Sequence, residues 1–172
     1  MNWIFFPKHK QPPEHLLKVT EVFQKSFWRI DSCKNDTNKK RLKSDQVLKI
    51  IENRLKKLGY SVEKSKKKEE KIRRPVLYGT NGSEELAFEA DAYSSSLKTV
   101  VEVEAGRALT NYQFLKDIFQ ASMMIETNYL VLAVRRCYRG RNDFEEIKKF
   151  IETLYLTNRI QLDLKGILLV GY

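Results

Sequence analysis

Three acidic residues occupy positions where acids are costly. The run Val100-Val101-Glu102-Val103-Glu104-Ala105 is β-branched and apolar, the composition of a buried strand, yet it carries two carboxylates. Side chains alternate along a strand, so Glu102 and Glu104 share one face. Their α-carbons are roughly 7 Å apart at about 3.3 Å rise per residue. Two like charges inside a sheet are unfavourable unless something compensates them. A divalent cation is the simplest compensation, and Mg²⁺ takes hard oxygen ligands of this type. The alternative is an amphipathic strand whose acidic face meets solvent; apolar neighbours on both faces argue against it. Asp91 stands eleven residues before Glu102, with Ser94-Ser95-Ser96 between them. That turn predicts an antiparallel hairpin, with Asp91 beside Glu102 across the ladder.

The surrounding elements must position those acids. Pro12-Pro13 opens a helix to residue 30 with Leu16, Val19, Phe23, Phe27 and Ile30 as its apolar stripe. Ser44 is expected to cap a second helix (Val47, Ile51, Leu55, Leu58 inward) that Gly59 stops. Short strands are expected at 60–62 and 75–78, with 64–74 an exposed loop. Leu86, Phe88 and Ala90 alternate with Ala87, Glu89 and Asp91 as a strand, and 98–105 forms the central strand. Thr110 and Gln113 read as a capping box for a helix to about 127, with Leu115, Ile118, Phe119 and Ser122 inward. A strand at 129–134, a helix at 143–156 and a strand at 167–170 complete the chain. The opening Trp3-Ile4-Phe5-Phe6-Pro7 is too short for a signal-peptide core and reads as a strand or docked arm. The 172 residues suit one α/β domain, a mixed sheet flanked by helices.

Composition narrows the chemistry. His9 and His15 are the only histidines, which argues against a His-rich zinc site and leaves a Ser-His triad little to draw on. Cys33 and Cys137 form no motif and are expected as free thiols, hence a reducing, cytoplasmic compartment. No apolar run is long enough to span a bilayer, so no membrane partner is expected, nor any organic cofactor. Lys and Arg exceed Asp and Glu by ten, and the segment Lys39 to Arg74 alone holds that whole excess. A concentrated basic region suits nucleic acid, with Lys67 and Lys68 as candidate contacts; a solvated lysine-rich surface is the alternative. Arg135, Arg136, Arg139 and Arg141 cluster after the 129–134 strand and suit a DNA backbone, as does Arg107 at the exit of the acidic strand. Tyr93 and Tyr138 are candidates for stacking on bases.

Asp91, the eleven-residue step and Glu102-Val103-Glu104, followed by Ala105-Gly106-Arg107-Ala108 and a helix, resemble the D…(D/E)XK signature of the PD-(D/E)XK nuclease superfamily. The form resembled is the D…ExE variant found among type II restriction endonucleases. The family's αβββαβ core matches the predicted order from Ser44 to Val134. The resemblance implies a restriction-endonuclease-like fold and a Mg²⁺-dependent DNA endonuclease of restriction or defence type, with Mn²⁺ able to substitute. It assigns Asp91 and Glu102 as metal ligands, Glu104 to the usual lysine position beside the attacking water, and Glu52 to the glutamate many members carry on the helix before the sheet. A duplex cut needs two sites, so a C2 homodimer is implied. Two departures stand out. Glu89-Ala90, not Pro, precedes Asp91, and the motif lysine is absent, leaving Lys98 and Lys116 as substitutes. A catalytically inactive nucleic-acid-binding domain on the same fold, or a domain docking an acidic protein, are the competing readings.

Overall fold

In the computed structural model, residues 1–34, 41–64 and 68–172 are described. The chain alternates strands and helices: β1 (Asn2–Phe6), α1 (Glu14–Ile30), α2 (Ser44–Lys57), β2 (Ser61–Val62), β3 (Ile72–Tyr78), β4 (Glu84–Ala90), β5 (Ala92–Ser94), β6 (Thr99–Val103), α3 (Gln113–Met123), β7 (Tyr129–Val134), α4 (Asp143–Thr157) and β8 (Gly166–Gly171). Six strands form one mixed sheet in the order β1-β8-β7-β6-β5-β2, and β3 and β4 form a separate ribbon. The β6–β7 and β7–β8 pairs are parallel, and β5–β6 and β1–β8 are antiparallel. The opening residues are thus a true edge strand.

Alternation along the central strands builds two apolar layers. Val101, Val103, Val131, Ala133, Leu168 and Val170 pack with α1 and α2 through Leu16, Val19, Phe23, Val47, Ile51 and Leu55. Val100, Leu130, Leu132, Val134, Ile167 and Leu169 pack with α3 and α4 through Phe114, Ile118, Phe144, Ile147 and Ile151. The result is a sheet with two helices on each face. Gly59 (φ +87°) ends α2 in the left-handed conformation, and Tyr60 N–H reaches Leu55 O at 3.2 Å.

Several sequence expectations need correction. The charged stretch before Pro75 is not all loop, because Ile72 to Arg74 already pair with β4. The second helix is preceded by Lys43, whose N–H donates to Gln46 Oε1 at 2.7 Å, so Ser44 is its first residue and not its cap. Thr110 caps nothing: Thr110–Tyr112 is a 3-10 turn and α3 begins at Gln113. Its buried side is Phe114, Asp117, Ile118 and Ala121, while Phe119 is exposed. Cys33 and Cys137 are not free thiols; they form a disulfide with Cα atoms 4.8 Å apart, tying the end of α1 to the loop after β7. The sequence offered no spacing rule for a pair 104 residues apart, and the argument for a reducing compartment loses its premise. Among the described residues, no helix is long and apolar enough to cross a membrane.

Candidate active and metal site

The β5–β6 hairpin pairs Ala92 with Val101 and Tyr93 with Val100, and one step further this register sets Asp91 opposite Glu102. Asp91 lies at the bend between β4 and β5, and its Oδ2 accepts a hydrogen bond from Val103 N–H at 2.8 Å. Its own carbonyl accepts from Glu63 N–H at 2.8 Å, which fixes the bend against β2. Glu102 and Glu104 are half-buried where β6 leaves the sheet. Glu104 N–H donates to Ala133 O at 2.8 Å, and Tyr172 O–H donates to Glu104 O at 2.9 Å. The hairpin partner of β6 is thus β5 and not the expected 86–91 strand, which pairs with β3 instead, and the β5–β6 register still sets Asp91 opposite Glu102.

A fourth acid joins them. Asp117 projects from the inner side of α3 and is buried, and Gln113 and Glu104 hydrogen-bond with it. Its Oδ2 is buried with no hydrogen-bond partner. The signal that identifies it is the one that identified Glu102, an acid within an apolar stripe. That stripe is Phe114-Ile118-Ala121, one side over from the face the sequence suggested.

Burial is the largest cause that raises the affinity of all four carboxyls for protons. Asp91 is pushed up to about 7, with Glu63, Asp117 and Asp45 adding to burial and the Val103 hydrogen bond opposing it. Glu102 is raised well above the ordinary carboxyl range, next by Asp91, Asp117 and Glu104. Glu104 is pushed up to about 8, with Asp117 and Asp91 adding and Lys116 opposing. Lys116 also pulls Asp117 back. The group is an all-oxygen donor set with excess negative charge, and the orphaned Asp117 Oδ2 lacks a donor or cation. Those features fit a hard divalent ion. Among the described residues, however, no three His, Cys, Asp or Glu side chains are arranged to hold a metal ion. Asp91 is turned to Val103 N–H, and Glu104 and Asp117 are turned to each other.

Glu52 shares a cleft of about 470 Å³ with Asp91, Asp45, Glu63, Lys49 and Lys64, and it is ion-paired with Lys56. Of the two substitute lysines, Lys116 lies beside the acids. Lys98 precedes the first residue of β6, pairs with Glu126 at 3.8 Å, and is about 13 Å along the strand from Glu102.

The candidate DNA contacts divide. Arg107 and Arg139 are exposed. Arg135 is 3% exposed and donates through Nη2 to Leu42 O, so it is an internal residue and not a surface contact. Arg136 is held by Asp31 at 3.1 Å and lies over Phe27. Lys67 lies outside the described residues, and Lys68 opens a 3-10 turn, Lys68–Glu70. Tyr93 is buried, donates through its hydroxyl to Glu126 O at 2.8 Å and stacks under Arg74, so it is not available to bases. No known protein-family model, curated protein or solved structure matches this chain.

Proposed function

We propose that this chain is a Mg²⁺-dependent DNA endonuclease on a restriction-endonuclease-like core. The observation that carries the reading is the meeting of Asp91, Glu102, Glu104 and Asp117 at the carboxyl end of β6, all with raised proton affinity. Mutually perturbed carboxyls mark candidate functional sites, and of the four Asp91 also lines the cleft that holds Glu52. The order α2, β2, β5, β6, α3, β7, with an antiparallel β2-β5-β6 group and a parallel β6–β7 pair, supports the αβββαβ core.

In this reading Asp91 and Glu102 would hold Mg²⁺. The ion would supply charge stabilisation at the phosphoryl oxygens and the leaving oxygen. Glu104 would accept the proton of the attacking water. Burial raises Glu104 to about 8 in the metal-free chain, and Mg²⁺ beside it would draw it back toward the charged form that can accept that proton near neutral pH. The water oxygen bonds to phosphorus as the P–O bond to the departing strand breaks, and no covalent enzyme intermediate is needed. Lys116 is the lysine best set to replace the missing motif lysine, since its charge already acts on Glu104 and Asp117. Cutting both strands would take two such sites, as in a C2 dimer.

The test is digestion of mixed-sequence plasmid DNA by the purified chain. Cleavage is expected with Mg²⁺ or Mn²⁺, absent with EDTA and abolished in Asp91→Ala. The missing motif lysine favours a second reading, a catalytically inactive DNA-binding domain on the same fold. DNA binding with no cleavage in either metal would decide for it.

A further inference from the structure

Four guanidinium groups surround one aromatic ring. Arg41, Arg135, Arg139 and Arg141 lie 5.2, 5.3, 5.4 and 5.9 Å from the centre of the Tyr138 ring. Residues 135–142 contain four arginines and no acid. A ring quadrupole attracts one cation well, but four like charges around it repel one another. Arg135 sharpens the point: it is buried, and its Nε and Nη1 have no partner at hydrogen-bond geometry. Buried cationic donors left unmade are costly, and they add to a positive field that favours an anion at the exposed edge of the cluster, where Arg141 lies.

The backbone gives independent support. Tyr138 and Arg141 exchange backbone hydrogen bonds at 2.9 and 3.0 Å, closing a two-residue hairpin turn over Arg139 (φ 51°) and Gly140 (φ 78°). Such a turn favours Asn-Gly, since both central residues are left-handed. An arginine in the first central position is held there against its conformational preference, which is how functional loops store strain.

The location is specific. The Tyr138 ring packs on Gly106, where an added β-carbon would lie 2.4 Å from it. Gly106 is two residues past Glu104, at most roughly 7 Å along extended chain. Tyr172 joins the two places, because its hydroxyl donates to Glu104 O and also interacts with the Arg135 guanidinium.

We propose that Arg139 and Arg141, on the exposed side of Tyr138, form a clamp for a DNA backbone phosphate, gripping the one next to the bond cut at the Asp91–Glu102–Glu104 site, while buried Arg135 adds positive charge from behind the ring. The assignment of DNA rests on the nuclease reading above; the clamp itself rests on the arginines and the turn. Arg139 and Arg141 are exposed and meet the strand first. Guanidinium forks suit phosphate oxygens better than point charges do.

The test uses the full chain with its disulfide intact, a labelled mixed-sequence DNA duplex, and fluorescence anisotropy in EDTA across a salt series. Arg139→Asn makes the preferred turn dipeptide, so its Tm is expected to equal or exceed that of the unaltered chain. Duplex affinity is expected to fall about tenfold, and the slope of log K against log salt to shrink by about one. Arg141→Ala should weaken binding likewise. Wild-type affinity and slope in both variants would overturn the clamp, even if the plasmid is cut. Absence of any salt-dependent duplex binding by the unaltered chain would overturn it as well. Loss of affinity in both variants, with a chain that never cuts DNA, would uphold the clamp and defeat the nuclease reading instead.

Discussion

Strands β6 and β7 run parallel through the middle of the sheet, in register from Thr99 beside Tyr129 to Val103 beside Ala133, yet their carboxyl ends carry opposite charge. β6 places Glu102 in the layer where β7 places the fully buried Leu132. β6 then leaves through Glu104 and Gly106, while β7 leaves through Arg135 and Arg136 into the Tyr138 turn. The apolar alternation that builds the layers is the same in both, so the difference is confined to the ends. Ligands of open α/β sheets bind outside the carboxyl ends of the strands. The two exits bear different costs. The acids are raised in proton affinity by burial and mutual repulsion, whereas the arginines sit on a left-handed turn tethered by a disulfide.

The sharpest way to break this comparison is to make the exits alike. Glu102→Leu gives β6 the residue type that β7 has in the same register. Mg²⁺-dependent cleavage is expected to fall on the order of 10⁴-fold or more, as when one member of a catalytic unit is removed. Metal-free stability is expected to rise by about 1–3 kcal/mol, because a half-buried carboxyl is replaced by an apolar group. Urea unfolding and plasmid cleavage on the same preparation decide it. A variant that still cuts, or one that is less stable, would mean that Glu102 is an ordinary strand residue.

The β7 exit is tested through its tether. Removing Cys33–Cys137 by Cys33→Ser with Cys137→Ser is expected to cost roughly 2–5 kcal/mol, given a closed loop of 104 residues. For a chain of this size that lowers Tm by roughly 4–20 °C. The thermal melt with and without reductant reads the same quantity in the unaltered chain. An unchanged melt under reductant would show that the tether contributes nothing to the fold.

Proton and metal linkage addresses the β6 exit alone. Asp91 and Glu104, at about 7 and 8, and the strongly raised Glu102 hold protons in the folded state that an unfolded chain would release near pH 4. Their contribution to stability is therefore full below about pH 4 and is lost as the pH rises through about 8. Metal-free Tm should fall between pH 5 and 8. In the nuclease reading Mg²⁺ would bind the deprotonated acids, so its effect should grow over that window, reaching about 2.7 kcal/mol at a hundred times its Kd. A metal-free Tm that climbs over this range, or one indifferent to Mg²⁺ at pH 8, contradicts the assignment.

What the sequence disclosed follows from how local each signal is. Glu102 and Glu104 were legible because an acid in a β-branched run contradicts its surroundings. Asp91 was legible because a serine turn sets a hairpin register. Asp117 was not: Phe114, Leu115, Ile118 and Phe119 are all apolar, so α3 offers a wide stripe and its inward edge is decided only by packing. The burial of Arg135 and the Cys33–Cys137 bridge are likewise products of tertiary contact, one just past a buried strand and the other across the chain. The β3–β4 ribbon was half legible, because its first residues are charged and pair with β4 on a separate, largely exposed ribbon.

Asp117 also offers the smallest and most discriminating comparison, since it is the only acid of the group supplied by a helix. Asp117→Asn keeps the size and removes one negative charge beside Glu104, Glu102 and Asp91. Each of those three is raised partly by Asp117, so each should lose its proton more readily in the variant. The acid limb of the cleavage–pH profile should then move to lower pH by up to about one unit, since one unit corresponds to 1.36 kcal/mol of interaction. The plateau rate should change less than tenfold if Asp117 acts only through its charge. A plateau that collapses as in Glu102→Leu would promote Asp117 to a metal ligand. An acid limb that does not move would mean that its charge is screened from the three strand acids, and the four carboxyls would no longer be one site.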